Sequence, residues 1–191
     1  FPPVEMIFDD KTNQVTHVIQ PAAIDNDIYK MSIDVAMKVS NELKHTGLLA
    51  VELFLTHSRE IIVNELAPRP HNSGHLTSEY CCNTSQCEQH IRSIFGLPLA
   101  MPEFIKPAIM TNIVGSEGHM GNVRYVGIKT IFENPNTFLH LYGKAETRPN
   151  RKMGHFTIVG DNTNDNRNEL LACAKKLKNT INSAIFITSV D

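Results

Sequence analysis

Two glutamates on neighbouring apolar segments are the residues of this sequence best suited to binding a metal ion. Glu52 interrupts the apolar run 48–55, and Glu65 stands near the end of the run 61–66. If residues 57–60 form the turn of a hairpin, the two glutamates lie directly opposite each other, with Cβ atoms roughly 4.5 to 5.5 Å apart on one face. Two carboxylates buried there would repel each other, so an oxygen-preferring dication, Mg²⁺ or Mn²⁺, would stabilise the pair and keep coordination positions for phosphate. A different strand register, which the sequence allows equally, would turn one glutamate to solvent.

A proline-rich loop follows the second of these runs. Residues 67–74 hold two prolines and an Asn-Ser-Gly turn, which exclude a regular helix and predict an extended, stiff loop. Prolines on both sides of Arg69 restrict its backbone and lower the ordering cost of binding. Arg69 offers a planar fork for carboxylate, bicarbonate or phosphate, and His71, Asn72 and Ser73 add hydrogen-bonding groups. The loop is interpreted as an anion-binding segment in preference to a plain surface connector.

A zinc site is a less favoured interpretation of the histidines and cysteines. His71 and His75 have the spacing of zinc ligands on a helix, but Pro70 and Gly74 argue against a helix there. The remaining candidates lack a second ligand pair with the usual spacing; they are Cys81, Cys82, Cys87 and His90. These thiols are interpreted as buried structural groups in a reducing cytoplasm, without disulfides.

Four cations lie within nine residues in the second half of the chain, offset only by Glu146; they are Lys144, Arg148, Arg151 and Lys152. A solvated basic turn is the interpretation that this segment favours when taken alone. Gly143 and Gly154, together with the aromatic residues Phe138 and Tyr142, favour instead a rigid rim that holds the cations as a local anion site.

Charge and hydropathy argue against two classes of partner. Eighteen Lys and Arg against twenty Asp and Glu give a net charge of −2, whereas a nucleic-acid-binding protein would need a strongly basic face. No apolar stretch approaches the roughly 20 residues that cross a bilayer, and no signal-peptide pattern is present. With 41% hydrophobic residues in 191, the sequence predicts a folded globular protein of one medium domain or two small ones.

The elements that must position these residues are short, and they include both helices and strands. In the first half we predict an opening hairpin over 4–8 and 15–20, a helix over 27–45 that starts at Asp25 or Asp27, and the hairpin with the two glutamates. A capping box at 85–88 starts a second helix, which Gly96 ends. Beyond Pro98 we predict strands at 108–114, 138–142 and 156–159 and a final helix over 166–179.

Several motifs together resemble the family of 5-(carboxyamino)imidazole ribonucleotide synthases. These are ATP-grasp ligases of purine biosynthesis, whose older name, phosphoribosylaminoimidazole carboxylase ATPase subunit, classes them as lyases. The motifs are VELF at 51–54, NELAPRPHNSGH at 64–75, TSQCEQH at 84–90, HLYGK at 140–144 and RPNRKMGH at 148–155. The resemblance covers about residues 1–160 and departs at Cys87, where the family usually carries an aromatic residue.

The resemblance implies an α+β fold. Residues 1–97 would form the C-terminal half of an ATP-grasp domain, mostly antiparallel sheet with flanking helices, and residues 98–191 a small β-rich domain with a terminal helix. The implied reaction is phosphorylation of bicarbonate by ATP, after which carboxyphosphate carboxylates aminoimidazole ribonucleotide. The family also implies a homodimer.

Matched position by position, the family's functional residues fall into three groups. They are a metal pair for Mg²⁺ on the ATP phosphates (Glu52, Glu65), a bicarbonate or carboxyphosphate group (Arg69 and His71, with Asn72 and Ser73), and a group for the ribonucleotide phosphate (Lys144, Arg151).

The first residue is Phe1 and not Met, which predicts a C-terminal piece of a longer protein. Family members carry an N-terminal nucleotide-fold domain and a lid domain, so the 191-residue chain alone is expected to be inactive. Two alternatives stay open at this point. One is a formate-dependent glycinamide ribonucleotide transformylase, which has a similar Pro-Arg-Pro-His loop, and the other is a non-catalytic anion-binding module.

Overall fold

The computed structural model describes residues 1–78, 81–160 and 167–184. The elements in chain order are β1 (Glu5–Phe8), β2 (Val15–Gln20), α1 (Asn26–Glu42), β3 (Ala50–Leu55), β4 (Ile61–Ala67), a 3₁₀ helix (Asn72–Thr77), α2 (Gln86–Ile94), β5 (Ala108–Val114), β6 (Gly121–Asn122), α3 (Lys129–Phe132), β7 (Thr137–Leu141), β8 (Glu146–Thr147), β9 (Lys152–Val159) and α4 (Arg167–Ala184). Among the described residues, none of the helices combines the length and apolar character needed to span a bilayer.

The chain divides into two compact units. The first unit comprises Phe1–Glu5 and Gln20–Ile105, and the second comprises Met6–Ile19 and Lys106–Asp191. This division differs from the expected one at residues 97 and 98 in two ways. The break comes after Ile105, and most of the opening hairpin belongs to the second unit, because β2 pairs with β5 in the sheet order β1-β2-β5-β9-β7.

The first helix is confirmed, with a different end. The Asp25 side chain accepts hydrogen bonds from the backbone N–H groups of Asp27 and Ile28, both at 3.1 Å, so Asp25 and not Asp27 is the N-cap. The helix ends at Glu42, before the expected residue 45, because Lys44 adopts the left-handed φ of 48° and closes the last turn.

The second helix is confirmed, but its capping box is half formed. The Ser85 side chain accepts a hydrogen bond from the Glu88 N–H at 3.1 Å. The Glu88 carboxylate does not return to Ser85; it accepts from Thr84 Oγ1 at 3.1 Å and pairs with Arg92 at 2.6 Å. The helix ends at Ile94, before Gly96, whose φ is +64°.

The predicted burial of the thiols is confirmed for Cys81 and Cys82 and wrong for Cys87. Helix α2 buries Gln86 and Gln89, and this orientation leaves the Cys87 side chain exposed. None of the four cysteines forms a disulfide, and all four lie among the described residues.

The core of the second unit lies between its sheet and α4. The predicted strand 108–114 is β5 with the same bounds, β7 is shifted by one residue, and β9 extends the predicted strand to Lys152. Helix α4 covers the predicted segment from Arg167 onward, while residue 166 lies outside the described residues. The buried cluster includes Ile109 and Phe156 from the sheet and Ala174 and Leu177 from α4. The periodicity of the final helix predicts the burial of the last two.

Phe156 tests this core. Because its side chain is fully buried, Phe156→Ala is expected to lower the free energy of unfolding by about 3 to 5 kcal/mol, measured by urea denaturation. The same truncation at Phe132, which is 66% exposed, is the matched control and should cost under about 0.5 kcal/mol. Equal losses in the two variants would contradict this assignment of the core.

Candidate functional site

The two glutamates lie directly opposite each other on the hairpin of β3 and β4. The antiparallel register pairs Glu52 with Glu65, as predicted. Residues opposite each other in an antiparallel pair project to the same face, so the two carboxylates share one face of the ribbon.

This register arises by a different route from the predicted one. Leu55 pairs with Ile61, so the turn has the five residues 56–60, where four were expected. A bulge then leaves Asn64 unpaired between the Val63 and Glu65 positions and restores the Glu52–Glu65 pairing. The longer turn and the bulge therefore compensate for each other.

The expected apolar surroundings of the pair are wrong. Val63 and Leu66 are 39% and 37% exposed, and Glu65 is exposed, whereas the Glu52 side chain is only 15% exposed. In the described part of the chain, β3 and β4 form a sheet of two strands only, which leaves most of β4 facing solvent. One carboxylate is thus enclosed, and the other is open to a ligand.

Glu52 contacts two polar side chains. The Asn64 Nδ2 group donates a hydrogen bond to Glu52 Oε2 at 3.3 Å, and His71 Nε2 lies 3.4 Å from Glu52 Oε1. The bulged Asn64 therefore contacts one carboxylate oxygen of Glu52, and His71 contacts the other. His71 belongs to the loop of residues 67–74, which is called the anion loop below after its predicted role. The structure thus brings His71 into contact with the glutamate pair, whereas the sequence showed only that it follows Glu65 in the chain.

Hydrogen bonds assign the tautomer of the His71 ring. The Ser73 backbone N–H donates to His71 Nδ1 at 3.3 Å, and Ser73 Oγ lies 2.8 Å from the same nitrogen. Because a backbone N–H can only donate, Nδ1 must accept, and in the neutral ring the proton resides on Nε2, toward Glu52. His71 therefore bridges Glu52 and Ser73 through its two ring nitrogens.

The predicted extended loop is wrong beyond His71. Residues Asn72–Thr77 form a 3₁₀ helix, and His71 is its N-cap. Pro70 precedes the helix and so removes no hydrogen bond from it, while Gly74 lies inside the short helix. A regular α-helix is absent from this stretch, as expected. Arg69 remains exposed, and its Nη1 donates to the carbonyl of Pro70 at 3.2 Å.

The basic segment of the second unit holds its cations close together. Lys144 Nζ donates to the carbonyl of Lys152 and lies 5.5 Å from the centre of the Tyr142 ring. Arg151 Nη1 donates to the Glu146 carbonyl at 2.8 Å. The pKa of Lys144 is lowered, first by burial and then by three neighbouring cations: Arg151, Lys152 and Arg148. An anion bound here would relieve that repulsion.

Sequence reasoning overlooked a histidine pair behind these cations. His140 and His155 are opposite each other on β7 and β9, and their rings stack with centroids 4.8 Å apart. Tyr142 Oη lies 2.9 Å from His155 Nδ1, and burial raises the pKa of Tyr142 to about 12. The spacing of His140 and Tyr142, two residues apart in the predicted strand 138–142, is the signal that could have suggested this cluster.

The candidate residues thus fall into two sets. Glu52, Glu65, the loop 69–73 and its contacts belong to the first unit, and Lys144 and Arg151 belong to the second. Within the ranges described, no group of three or more His, Cys, Asp or Glu side chains is arranged to hold a metal. A dication between the two glutamates would need phosphate or water oxygens to complete its coordination, which suits Mg²⁺.

Two family models match the chain, one over each set of candidate residues. Residues 1–87 match the ATP-grasp domain, and residues 108–169 match the phosphoribosylaminoimidazole carboxylase C-terminal domain. The N5-carboxyaminoimidazole ribonucleotide synthase of Bacillus subtilis is 43% identical over 163 residues, which are 83% of this chain and 40% of that protein.

Solved structures extend the similarity. The N5-carboxyaminoimidazole ribonucleotide synthetase of Thermotoga maritima aligns with a TM-score of 0.81 and 38% identity, over 100% of this chain and 54% of that one. The Aspergillus clavatus synthase in complex with ADP and 5-aminoimidazole ribonucleotide aligns with a TM-score of 0.79 and 30% identity. That alignment covers 95% of this chain and 47% of the Aspergillus one. The chain thus spans about half the length of these proteins.

The basic segment yields a test by titration. Replacing Arg151 with Gln removes one repelling cation, so the pKa of Lys144 is expected to rise toward its ordinary value of about 10.4. The measurement is NMR titration of the Lys144 side chain in ¹³C-lysine-labelled protein. Arg151→Lys keeps the charge and should leave the pKa depressed. An unchanged midpoint in Arg151→Gln would show that Arg151 does not lower the pKa of Lys144.

Proposed function

Because this chain belongs to the ATP-grasp family and carries the C-terminal domain of the phosphoribosylaminoimidazole carboxylases, we propose that it is part of an ATP-dependent ligase that carboxylates 5-aminoimidazole ribonucleotide with bicarbonate. The single observation that carries the proposal is the Glu52–Glu65 pairing at the base of the anion loop. The Aspergillus clavatus relative is bound to ADP and 5-aminoimidazole ribonucleotide. That complex supports ATP as the proposed nucleotide and the ribonucleotide as the proposed acceptor of the carboxyl group.

Glu52 and Glu65 are proposed to hold Mg²⁺, or Mn²⁺ in its place. The fit rests on two carboxylates that share one face, of which Glu65 is exposed and so accessible to a hydrated ion. When bound, the metal would neutralise charge on the ATP phosphates. The contacts of Asn64 and His71 with Glu52 fix the orientation of that carboxylate before a ligand arrives.

The anion loop is proposed to hold bicarbonate and then carboxyphosphate. A bicarbonate oxygen attacks the γ-phosphorus of ATP and ADP leaves. The amine of the ribonucleotide then attacks the carboxyl carbon, the bond between that carbon and the phosphate oxygen breaks, and inorganic phosphate leaves with that electron pair while the amine loses a proton. The exposed Arg69 guanidinium suits a bidentate contact with either anion. Asn72 and Ser73 add hydrogen-bonding groups, and the short helix holds them in place. Positioning of this kind is the main contribution of a protein to phosphoryl transfer.

Lys144 and Arg151 are proposed to bind the phosphate of the ribonucleotide. Each spends one donor on a backbone carbonyl, which restrains the side chain and leaves further N–H groups for a ligand. In the described residues, none of the ion pairs engages these two cations, so their charge is available to a phosphate dianion.

We also propose that the intact protein is a cytoplasmic homodimer. The family resemblance supports the homodimer, and the four free thiols support the reducing compartment.

The proposal is tested in the intact enzyme that contains this chain. Glu65→Gln removes a metal ligand with little change in shape, and it should lower bicarbonate-dependent ADP release in the presence of aminoimidazole ribonucleotide by at least about a hundredfold. Glu60→Gln, in the turn of the same hairpin, is the matched control and should keep normal turnover.

Three results would contradict the proposal. Near-normal turnover by Glu65→Gln would remove that residue from metal binding. Turnover of glycinamide ribonucleotide with formate, in place of aminoimidazole ribonucleotide with bicarbonate, would favour the transformylase, and absence of nucleotide binding would favour a non-catalytic module.

A further inference from the structure

Gln86 binds both peptide groups of His71. Its Oε1 accepts from the His71 backbone N–H at 2.8 Å, and its Nε2 donates to the His71 carbonyl at 3.1 Å. Gln86 is the first residue of α2 and is only 3% exposed. One side-chain amide therefore satisfies a donor and an acceptor of the same residue, as a neighbouring strand would.

The surrounding chain is shaped to admit this side chain. A Cβ atom at Gly74 would lie 2.4 Å from Gln86 Oε1 and 2.7 Å from its Cδ, so residue 74 must be glycine for the amide to reach His71. The Gln86 backbone N–H donates to Thr77 Oγ1 at 2.8 Å, which ties the start of α2 to the end of the 3₁₀ helix. Gln86 Nε2 also lies 3.3 Å from His75 Nδ1.

Because Gln86 holds the backbone of His71, it also fixes the position from which the imidazole side chain extends. The ring then lies between Glu52 Oε1 and the N–H and Oγ of Ser73, and only one tautomer suits both partners. We infer that Gln86 is a positioning residue, which holds the His71 imidazole between the metal carboxylate and the anion loop. This inference rests on the proposed function for its catalytic consequence and on the contacts alone for its structural one.

Glutamine is the side chain whose chemistry this position requires. Methionine has a similar length and volume but would remove the Gln86 acceptor of the His71 N–H and the Gln86 donor to the His71 carbonyl, which also accepts from the Gly74 N–H at 3.0 Å. Glutamate would keep an acceptor for the N–H and lose the donor to the carbonyl. The two variants therefore remove both contacts or one.

A second buried glutamine on the same helix gives a matched control. Gln89 is 7% exposed, and its Nε2 donates to Thr84 Oγ1 at 3.2 Å and to the carbonyl of Ala100 at 3.1 Å. It makes none of the His71 contacts just described. Gln89→Met therefore reproduces the loss of a buried amide on α2 while leaving the histidine held.

The experiment compares Gln86→Met, Gln89→Met and His71→Asn. Long-range ¹H–¹⁵N NMR of ¹⁵N-histidine-labelled 191-residue chain reports the tautomer of His71, whose signals are those missing in His71→Asn. We expect the Nε2–H form in the unsubstituted chain and in Gln89→Met, and averaged signals of both tautomers in Gln86→Met. In the intact enzyme, Gln86→Met should lower kcat by about 10- to 100-fold with little change in KM for ATP, and Gln89→Met should not.

Each outcome decides one question. An unchanged Nε2–H pattern in Gln86→Met, or equal averaging in Gln89→Met, overturns the positioning role. If Gln86→Met does not fold, Gly74→Ala replaces it, because the added Cβ would lie 2.4 Å from Gln86 Oε1 and displace the amide from His71. An unchanged pattern there overturns the role in the same way. If His71→Asn keeps full turnover, the proposed part of His71 in the reaction fails, while the NMR result still decides whether Gln86 sets its tautomer.

Discussion

The contact between Glu52 and His71 connects the two parts of the candidate site in the first unit. The hairpin supplies the carboxylates, and the loop after it supplies the groups that suit an anion. Within the described residues of this chain, most of β4 is exposed and the loop is polar. Among these residues, directional hydrogen bonds fix the position of the imidazole relative to the carboxylate, and such bonds weaken when one partner turns away.

Much of the fold followed from periodicity and turn chemistry. The apolar spacing of the final helix predicted that Ala174 and Leu177 would be buried, and Asp25 and Gly96 marked the ends of helices. These signals are local, since each depends on residues within one or two turns of the chain. The assignment of the opening hairpin to the second unit depends on the long-range pairing of β2 with β5, for which the sequence has no local signal.

The candidate site was predictable in its residue types but less so in its environment. Glu52 and Glu65 were expected to face each other, and they do, but the expectation of apolar burial failed because a residue list does not show how many strands cover a hairpin. The 3₁₀ helix was overlooked because proline and glycine exclude an α-helix without excluding a shorter, tighter one. Gln86 was overlooked because a glutamine near a helix start is ordinarily a solvated residue.

The unpaired Asn64 makes the hairpin tolerant of one change in length. If Asn64 were deleted, the ladder would continue from the Leu53–Val63 pair, and the next residue, Glu65, would still lie opposite Glu52. The deletion would instead remove the amide that donates a hydrogen bond to Glu52 Oε2. The extra residue thus contributes to the orientation of one carboxylate, and β4 could lose it over evolutionary time without exchanging its two faces.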